Sequence, residues 1–388
     1  MKVVIFCHSL VSDWNHGNAH FLRGVARELL ACGHTVSVYE PEDGWSRSNL
    51  RRQHGLKPER DFAEAFPALS SRQYRLTELD LEQALDHADL VLVHEWNDPT
   101  LVARIGHHHE RTRNYRLLFH DTHHRAVSAP EQMRGLDLSG YDGVLAFGEV
   151  IRRLYLERGW TARAWTWHEA ADTRLFTPHH GVTRSDDLVW IGNWGDGERT
   201  RELHELLLVP ARRLRLSGTV HGVRYPWRAR LAVRHSRLRY GGWLPNHRVP
   251  AVFARHRFTV HIPRRPYVQA LPGIPTIRVF EALASGIPLI CSAWEDAEQL
   301  FTPGRDYLVA DNRREMQTAM RAVQHDRALA TGLADHGRAT IMARHTCMHR
   351  VQELLTIAAS LQPPASETPL RVHSGQHTVL QRVQERSL

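Results

Sequence analysis

The sequence predicts an α/β protein built from two doubly wound parallel sheets in series, with helices on both faces of each. Three observations predict it. Short β-branched runs alternate with amphipathic helical stretches along most of the chain, the pattern of βαβ units. The alternation pauses at a polar passage, 172–187, and then begins again. The length of 388 residues suits two domains, each with its own core.

The first series opens with a strand at 2–7, whose unbroken apolar run suits burial on both faces. Phe21, Leu22, Val25, Ala26, Leu29 and Leu30 then recur at helical spacing, and Gly33 stops the helix. A strand at 35–39 completes a right-handed βαβ unit. Further strands are expected at 90–94, 116–120, 144–147 and 163–167, with helices at 79–87 and 149–158. Residues 44–75 carry no clear core pattern and read as an inserted helical or irregular segment.

The second series is expected to hold strands at 188–191, 213–216, 238–240, 258–262, 287–291 and 307–309. Helices are expected at 200–208, 249–255, 277–284, 297–300 and 314–324, followed by two more ending near Leu361. The domain reading is therefore 1–171, a linker at 172–187, and 188–345. A helix at 346–362 is expected to pack back on the first domain, and 363–388 to be a loose polar tail.

Composition narrows the function. Hydrophobic content of 42% and charged content of 24% are those of a globular protein. The formal charge of +8 favours anionic partners, either phosphate groups or peripheral contact with an anionic membrane. The basic residues look scattered and no nucleic-acid motif is present, so no nucleic-acid partner is expected. The four cysteines, Cys7, Cys32, Cys291 and Cys347, form neither a disulfide framework nor a zinc site. With strand-like residues at the N-terminus and no apolar run of about 20 residues, a cytoplasmic protein is expected. The 28 histidines include His107-His108-His109 and His123-His124. Lacking H-e-x-x-H or knuckle spacing, these runs read as solvated or cleft residues and not as metal ligands.

The stretch most informative about chemistry is 272–292, PGIPTIRVFEALASGIPLICS. Thr276 caps a helix, Ile277, Phe280, Leu283 and Ala284 form its apolar face, and Gly286 ends it. A helix N-terminus at the carboxyl end of a strand offers free N–H groups to a diphosphate. Glu281, one turn further on, can accept hydrogen bonds from vicinal hydroxyls such as those of a ribose. In 188–201, LVWIGNWGDGERTR, a strand ends in a glycine-rich turn where Gly195 and Gly197 allow close approach of a ligand, with Asn193 in the same turn as a donor-binding candidate. Arg199 and Arg201 follow. There is no Walker Gly-Lys-Ser/Thr, no G-x-G-x-x-G and no G-x-S-x-G elbow.

The run Glu281-Ala282-Leu283-Ala284-Ser285-Gly286-Ile287-Pro288 resembles the E-A-x-A-x-G-x-P signature of GT-B-fold glycosyltransferases of the group-1 (family 4) type, and more narrowly their CgeB-like relatives. Gly17, the helix after it, Gly33-His34 and Val36–Val38 resemble the family's N-terminal segment. The resemblance covers about residues 1–345. It implies the GT-B architecture, two Rossmann-like domains facing across a cleft. It implies a retaining sugar transfer from a nucleotide-sugar donor, without metal or other cofactor. Glu281 would hold the donor's ribose, while Thr276 and Ile277 would meet the diphosphate through their backbone, and Arg278 is a further donor-binding candidate. Arg199, with Arg201 as the alternative, would neutralise the leaving group. His120, or less well His94, would stand at a strand end facing the cleft, and Gly17 would bring the first domain's loop close to the diphosphate and acceptor. Trp243 can stack on the base or pack in the core. The family's first glutamate falls at Gly273 here, which leaves the sugar open. A non-catalytic nucleotide-sugar or sugar-binding protein is therefore the alternative. The acceptor, whether glycan, lipid-linked glycan, metabolite or protein, is not readable.

Overall fold

The computed structural model describes residues 1–195 and 197–361. The expected tail, 363–388, and Asp196 lie outside the described residues.

The first lobe is a parallel sheet of seven strands. In chain order they are β1 (Lys2–Phe6), β2 (Thr35–Pro41), β3 (Ser71–Tyr74), β4 (Leu90–His94), β5 (Arg116–Asp121), β6 (Gly143–Ala146) and β7 (Ala164–Thr166). Their spatial order is β3-β2-β1-β4-β5-β6-β7. The second lobe holds β8 (Asp186–Ile191), β9 (Gly218–His221), β10 (Arg239–Gly242), β11 (His256–His261), β12 (Leu289–Ser292) and β13 (Leu308–Ala310). Their order is β10-β9-β8-β11-β12-β13. In each lobe the order reverses beside the lobe's first strand, at the β1/β4 and β8/β11 boundaries. There the connections leave opposite faces of the sheet and open a crevice at the strands' carboxyl ends.

Five helices matter below: α1 (Ala19–Ala31), α2 (Pro99–Thr112), α3 (Trp227–His235), α4 (Ile277–Ala284) and α5 (Cys347–Ser360). Helix α4 buries Ile277, Val279, Phe280 and Leu283 in a core shared with Phe21, Leu22 and Val25 of α1. That shared cluster joins the lobes. Helix α5 leaves the second lobe and packs along α1 of the first. The Trp167 indole donates to the Arg350 carbonyl at 2.8 Å, and Gly24 permits the approach, since a Cβ there would lie 2.4 Å from Cys347 Sγ.

Several sequence expectations are corrected. The expected strand at 213–216 is the end of a helical stretch that runs on from Thr200, and the strand follows at Gly218–His221. The alternation of Arg213, Leu214, Arg215 and Leu216 is that of a helix end and its turn, with Arg215 at φ 55°. The expected helix at 297–300 is a turn, held by the Asp296 carboxylate accepting from the Leu300 and Phe301 N–H groups. Residues 44–75 resolve into helices Trp45–His54 and Lys57–Ala65 and the edge strand β3. The run His107–His109 lies on α2, which had no place in the expected elements. Only His107 is exposed; His108 shares a hydrogen bond with the Tyr115 hydroxyl at 2.9 Å, and His109 bonds the Gly140 and Tyr115 carbonyls. These two rings are packing elements between α2 and β5.

Candidate active site

A cavity of about 500 Å³ lies between the lobes where the carboxyl ends of both sheets meet. Loops after β1, β4 and β5 form one wall, and loops after β8, β9, β10 and β11, with the start of α4, form the other. The walls touch at the rim. Asp13 accepts from the Trp243 indole N–H and the Asn246 backbone N–H, both at 3.0 Å, and pairs with Arg23. The Asn193 side chain donates to Asn15 across the gap. A Cβ at Gly17 would lie 3.4 Å from Ile277 Cγ2, so the first loop lies directly against α4.

Helix α4 begins at this wall. Thr276, Ile277 and Arg278 all line the cavity. Thr276 has extended backbone and makes no side-chain cap; its hydroxyl instead shares a hydrogen bond with His261 Nε2 at 2.9 Å. Of the helix's first N–H groups, that of Val279 donates to the Thr276 carbonyl at 3.0 Å, which leaves those of Ile277 and Arg278 at the cavity end. The carboxyl group of Glu169, which reaches over from the first lobe, lies beside the Ile277 N–H. Glu169 also accepts from Asn18 Nδ2 at 2.6 Å. Burial pushes its carboxyl up to about 8, with the nearby Glu281 charge adding to the shift and Arg278 opposing it. Glu169 is thus an uncharged group at neutral pH, seated where an anion would sit. Sequence reading passed over it because it lies at the end of the first domain, outside any motif.

Arg199 lines the cavity and is fixed there. Its guanidinium donates to the Ile262 carbonyl at 3.0 Å and to the Asn193 carbonyl, and lies 5.2 Å above the Trp190 ring. Burial, with neighbouring Arg264, lowers its pKa to about 10, so it remains a cation at neutral pH. Arg264 and Arg278 line the same cavity, which gives the α4 end a cationic wall. Asn193 and Gly192 lie in that wall, and the Asn193 side-chain oxygen accepts from the Val223 N–H at 2.9 Å. Trp243 is there as well, but its indole N–H is committed to Asp13 and its face to His54.

Four expectations are corrected by position. Arg201 is exposed on the outside of the helix that begins at Thr200 and does not reach the cavity. Gly195, at φ 84°, shapes the turn but lines nothing, and the close-approach glycines are Gly192 and Gly222. His94 and His120 are buried against one another, ring nitrogens 2.9 Å apart, with His120 packed on Trp167. Their strand ends face the cavity, but their side chains point back into the first lobe. The histidines that reach the cavity from that loop are the next pair, His123 and His124. Burial lowers His124 to about 4 and His123 well below the ordinary value, so both are neutral. His123 Nδ1 is buried without a protein partner.

Glu281 stands behind the wall, fully buried. Asn246 Nδ2 donates to one of its oxygens at 2.7 Å, and the Arg278 guanidinium binds the other. His20 Nδ1 lies 3.2 Å from the first. Because His20 Nε2 accepts the Asp172 N–H, its proton sits on Nδ1, the nitrogen that lies beside Glu281. Burial would raise the Glu281 carboxyl, but Arg278 and His20 hold it below the ordinary range. A carboxylate so engaged has no free face toward a ribose. It fixes Arg278, which does face the cavity. Gly273 is explained by its own geometry: it adopts φ 86°, and a Cβ would lie 2.7 Å from Glu298 Cγ. A glutamate has no room there. Among the described residues no group of three or more His, Cys, Asp or Glu is arranged to hold a metal ion.

Residues 199–356 match a family model described as glycosyl transferase-like. HepE from Anabaena, solved with UDP-glucose, is similar with a TM-score of 0.67 at 12% identity, over 93% of this chain and 100% of that one. Sucrose-phosphate synthase from Thermosynechococcus elongatus gives 0.63 at 14% identity, over 93% and 98%. The fold is GT-B. The BGT of T4 phage, also solved with UDP-glucose, shares the GT-B fold at a TM-score of 0.58 and 12% identity, over 93% and 100%. No curated protein matches the chain. The matched span begins at Arg199 and takes in α4, the whole cationic side of the GT-B cleft except the loop after β8. No helix among the described residues is long and apolar enough to cross a membrane.

Proposed function

We propose that this protein transfers a sugar from a nucleoside-diphosphate donor to an acceptor hydroxyl, with the donor held by the second lobe. The observation that carries the reading is the open start of α4 beside three cavity arginines, Arg199, Arg264 and Arg278. The positive end of the helix, with the Arg278 N–H at its first turn, and fixed cations together suit a diphosphate. When the bond between the anomeric carbon and the diphosphate oxygen breaks, negative charge grows on that oxygen. Arg199, held rigidly by two carbonyls and an indole face, is already in place to meet it.

The finer reading is a retaining, metal-independent transfer of the family-4, CgeB-like kind. Acceptor oxygen bonds to the anomeric carbon on the face the diphosphate leaves, and the acceptor proton passes to the departing phosphate oxygen. The arginine wall supports charge neutralisation by the protein itself, and neutral His123 is suited to orient the acceptor hydroxyl. Glu169, protonated at neutral pH, does not repel the donor.

A thermal-shift panel of UDP, GDP, ADP and TDP sugars tests the binding, since a ligand of the native state alone raises its stability. Release of free nucleoside diphosphate on adding candidate acceptors tests the transfer. Glycine at position 273 favours a second reading, a non-catalytic nucleotide-sugar or sugar-binding protein. Binding that never leads to consumption across an acceptor panel would establish it.

A further inference from the structure

The basic residues are not evenly spread, contrary to the sequence expectation. Between Glu205 and Glu281 there is no aspartate or glutamate, and fifteen arginines fall in that window, almost twice the chain's net charge of +8. Helix α3 lies in that window and carries its two most exposed large apolar side chains among the described residues.

Its inner face is apolar and buried, through Ala229 and Val233. At about 100° per residue, Trp227 and Leu231 lie one turn apart on the opposite face. They are 69% and 58% exposed, among the most exposed large apolar side chains described. They are no part of the core stripe, and nothing among the described residues covers them. Arg230 and Arg234 flank this ridge on one side, and Arg228 and His235 on the other; all four are exposed. Among the described residues no carboxylate forms an ion pair with Arg228, Arg230 or Arg234. Arg228 lies over the Trp227 ring at 5.2 Å.

An apolar ridge of one indole and one leucine, bordered by arginines on both flanks, matches the chemistry of a bilayer interface. Indole settles at headgroup depth, leucine reaches the acyl boundary, and guanidinium groups meet phosphates. A nucleic-acid backbone would use the arginines and give the leucine nothing to pack against. We infer that α3 docks the second lobe onto an anionic lipid surface by inserting Trp227 and Leu231 between headgroups paired with Arg228, Arg230 and Arg234. Only Arg224 and two neighbouring residues separate α3 from Val223, and Gly222, Val223 and Arg224 line the cleft. Docking therefore brings the cleft mouth near the lipid surface. The inference does not depend on the sugar-transfer reading.

The test is flotation of the full chain with vesicles of phosphatidylcholine alone and with 30%, roughly a third, anionic phosphatidylglycerol, the range where surface charge is strong. The expected result is binding only to anionic vesicles, falling steeply with salt. W227S/L231S should lose about tenfold or more of the partitioning, since it removes both inserted side chains. R228Q/R230Q/R234Q should lose about fivefold per arginine. Both variants must melt like the parent, and since their positions are exposed, this checks the fold independently. No binding to anionic vesicles, equal binding to phosphatidylcholine, or unchanged binding by W227S/L231S would each overturn the inference. So would oligonucleotide binding that displaces the vesicles and is lost in the arginine variant alone.

Discussion

The Asn18 side-chain amide donates to Glu169 at 2.6 Å, so the loop that precedes α1 holds in place a carboxyl group aimed at the first N–H of α4. Two segments of the first lobe thereby complete a site whose other parts belong to the second. The helix end is met by a neutral acid. A diphosphate must take that place or share it.

Replacing Glu169 tests this directly. Its carboxyl is raised to about 8, first by burial, and it faces Asn18, Arg278, Glu281 and Tyr267. The unfolded chain ionises near the ordinary value, so the folded state loses stability as pH rises from there through about 8. Glu169→Gln should remove that loss and be more stable than the parent at pH 9 by roughly 1–3 kcal/mol, the scale of a poorly satisfied buried group. Nucleoside diphosphate affinity of the parent should fall above pH 8, by at most about tenfold per pH unit, and stay level in the variant. Parallel pH profiles for the two proteins in calorimetry would remove Glu169 from the anion site.

Arg199→Ala should lower kcat by about 10²–10³ and change KM much less, because the charge matters most as the leaving group departs. Arg199→Lys should recover little. An ammonium cannot donate to both the Ile262 and Asn193 carbonyls while lying flat on Trp190. Steady-state kinetics showing a KM effect alone would make Arg199 a ground-state binder.

Glu281→Ala should unfold more easily by roughly 3–5 kcal/mol, since it leaves Arg278, Asn246 and the His20 N–H without their partner. Urea denaturation measures it. A variant of parental stability that has lost nucleotide affinity would restore the direct ribose contact.

His123→Ala should reduce turnover by about tenfold to a hundredfold, while His120→Phe should act on stability and leave kcat within a few-fold. The two side chains are three residues apart but point to opposite sides of the loop. Turnover lost through His120 and untouched through His123 would reverse the assignment.

The fold was legible where burial is two-sided. Strands such as β1 and β4 are apolar but for one end residue each, Lys2 and His94, because both faces are covered, and the bounds of α4 follow from Thr276 before it, its apolar stripe and Gly286 after it. It was illegible where a helix end imitates alternation, as at Arg213–Leu216, and where a strand is polar, as β3 is at the sheet's edge. At the site, Thr276, Arg278 and Arg199 were legible because motif spacing fixes which strand end they follow. Side-chain direction was not. Successive residues of a β-strand alternate faces, so His120, one before the end of β5, turns inward while His123, in the loop beyond, turns to the cavity. Glu169 was hidden for a further reason: its role depends on a contact with residues more than a hundred positions away.

Helix α5 runs back from the second lobe to lie on α1 of the first, and this sets how the protein can be taken apart. Cutting the chain at the passage between the lobes would leave each fragment with an apolar scar: α1 uncovered on one, α5 stranded on the other. A self-sufficient first lobe would need residues 347–360 spliced back onto it, whereas the intact chain should resist proteolytic separation of its halves even after a single nick in the connecting loop.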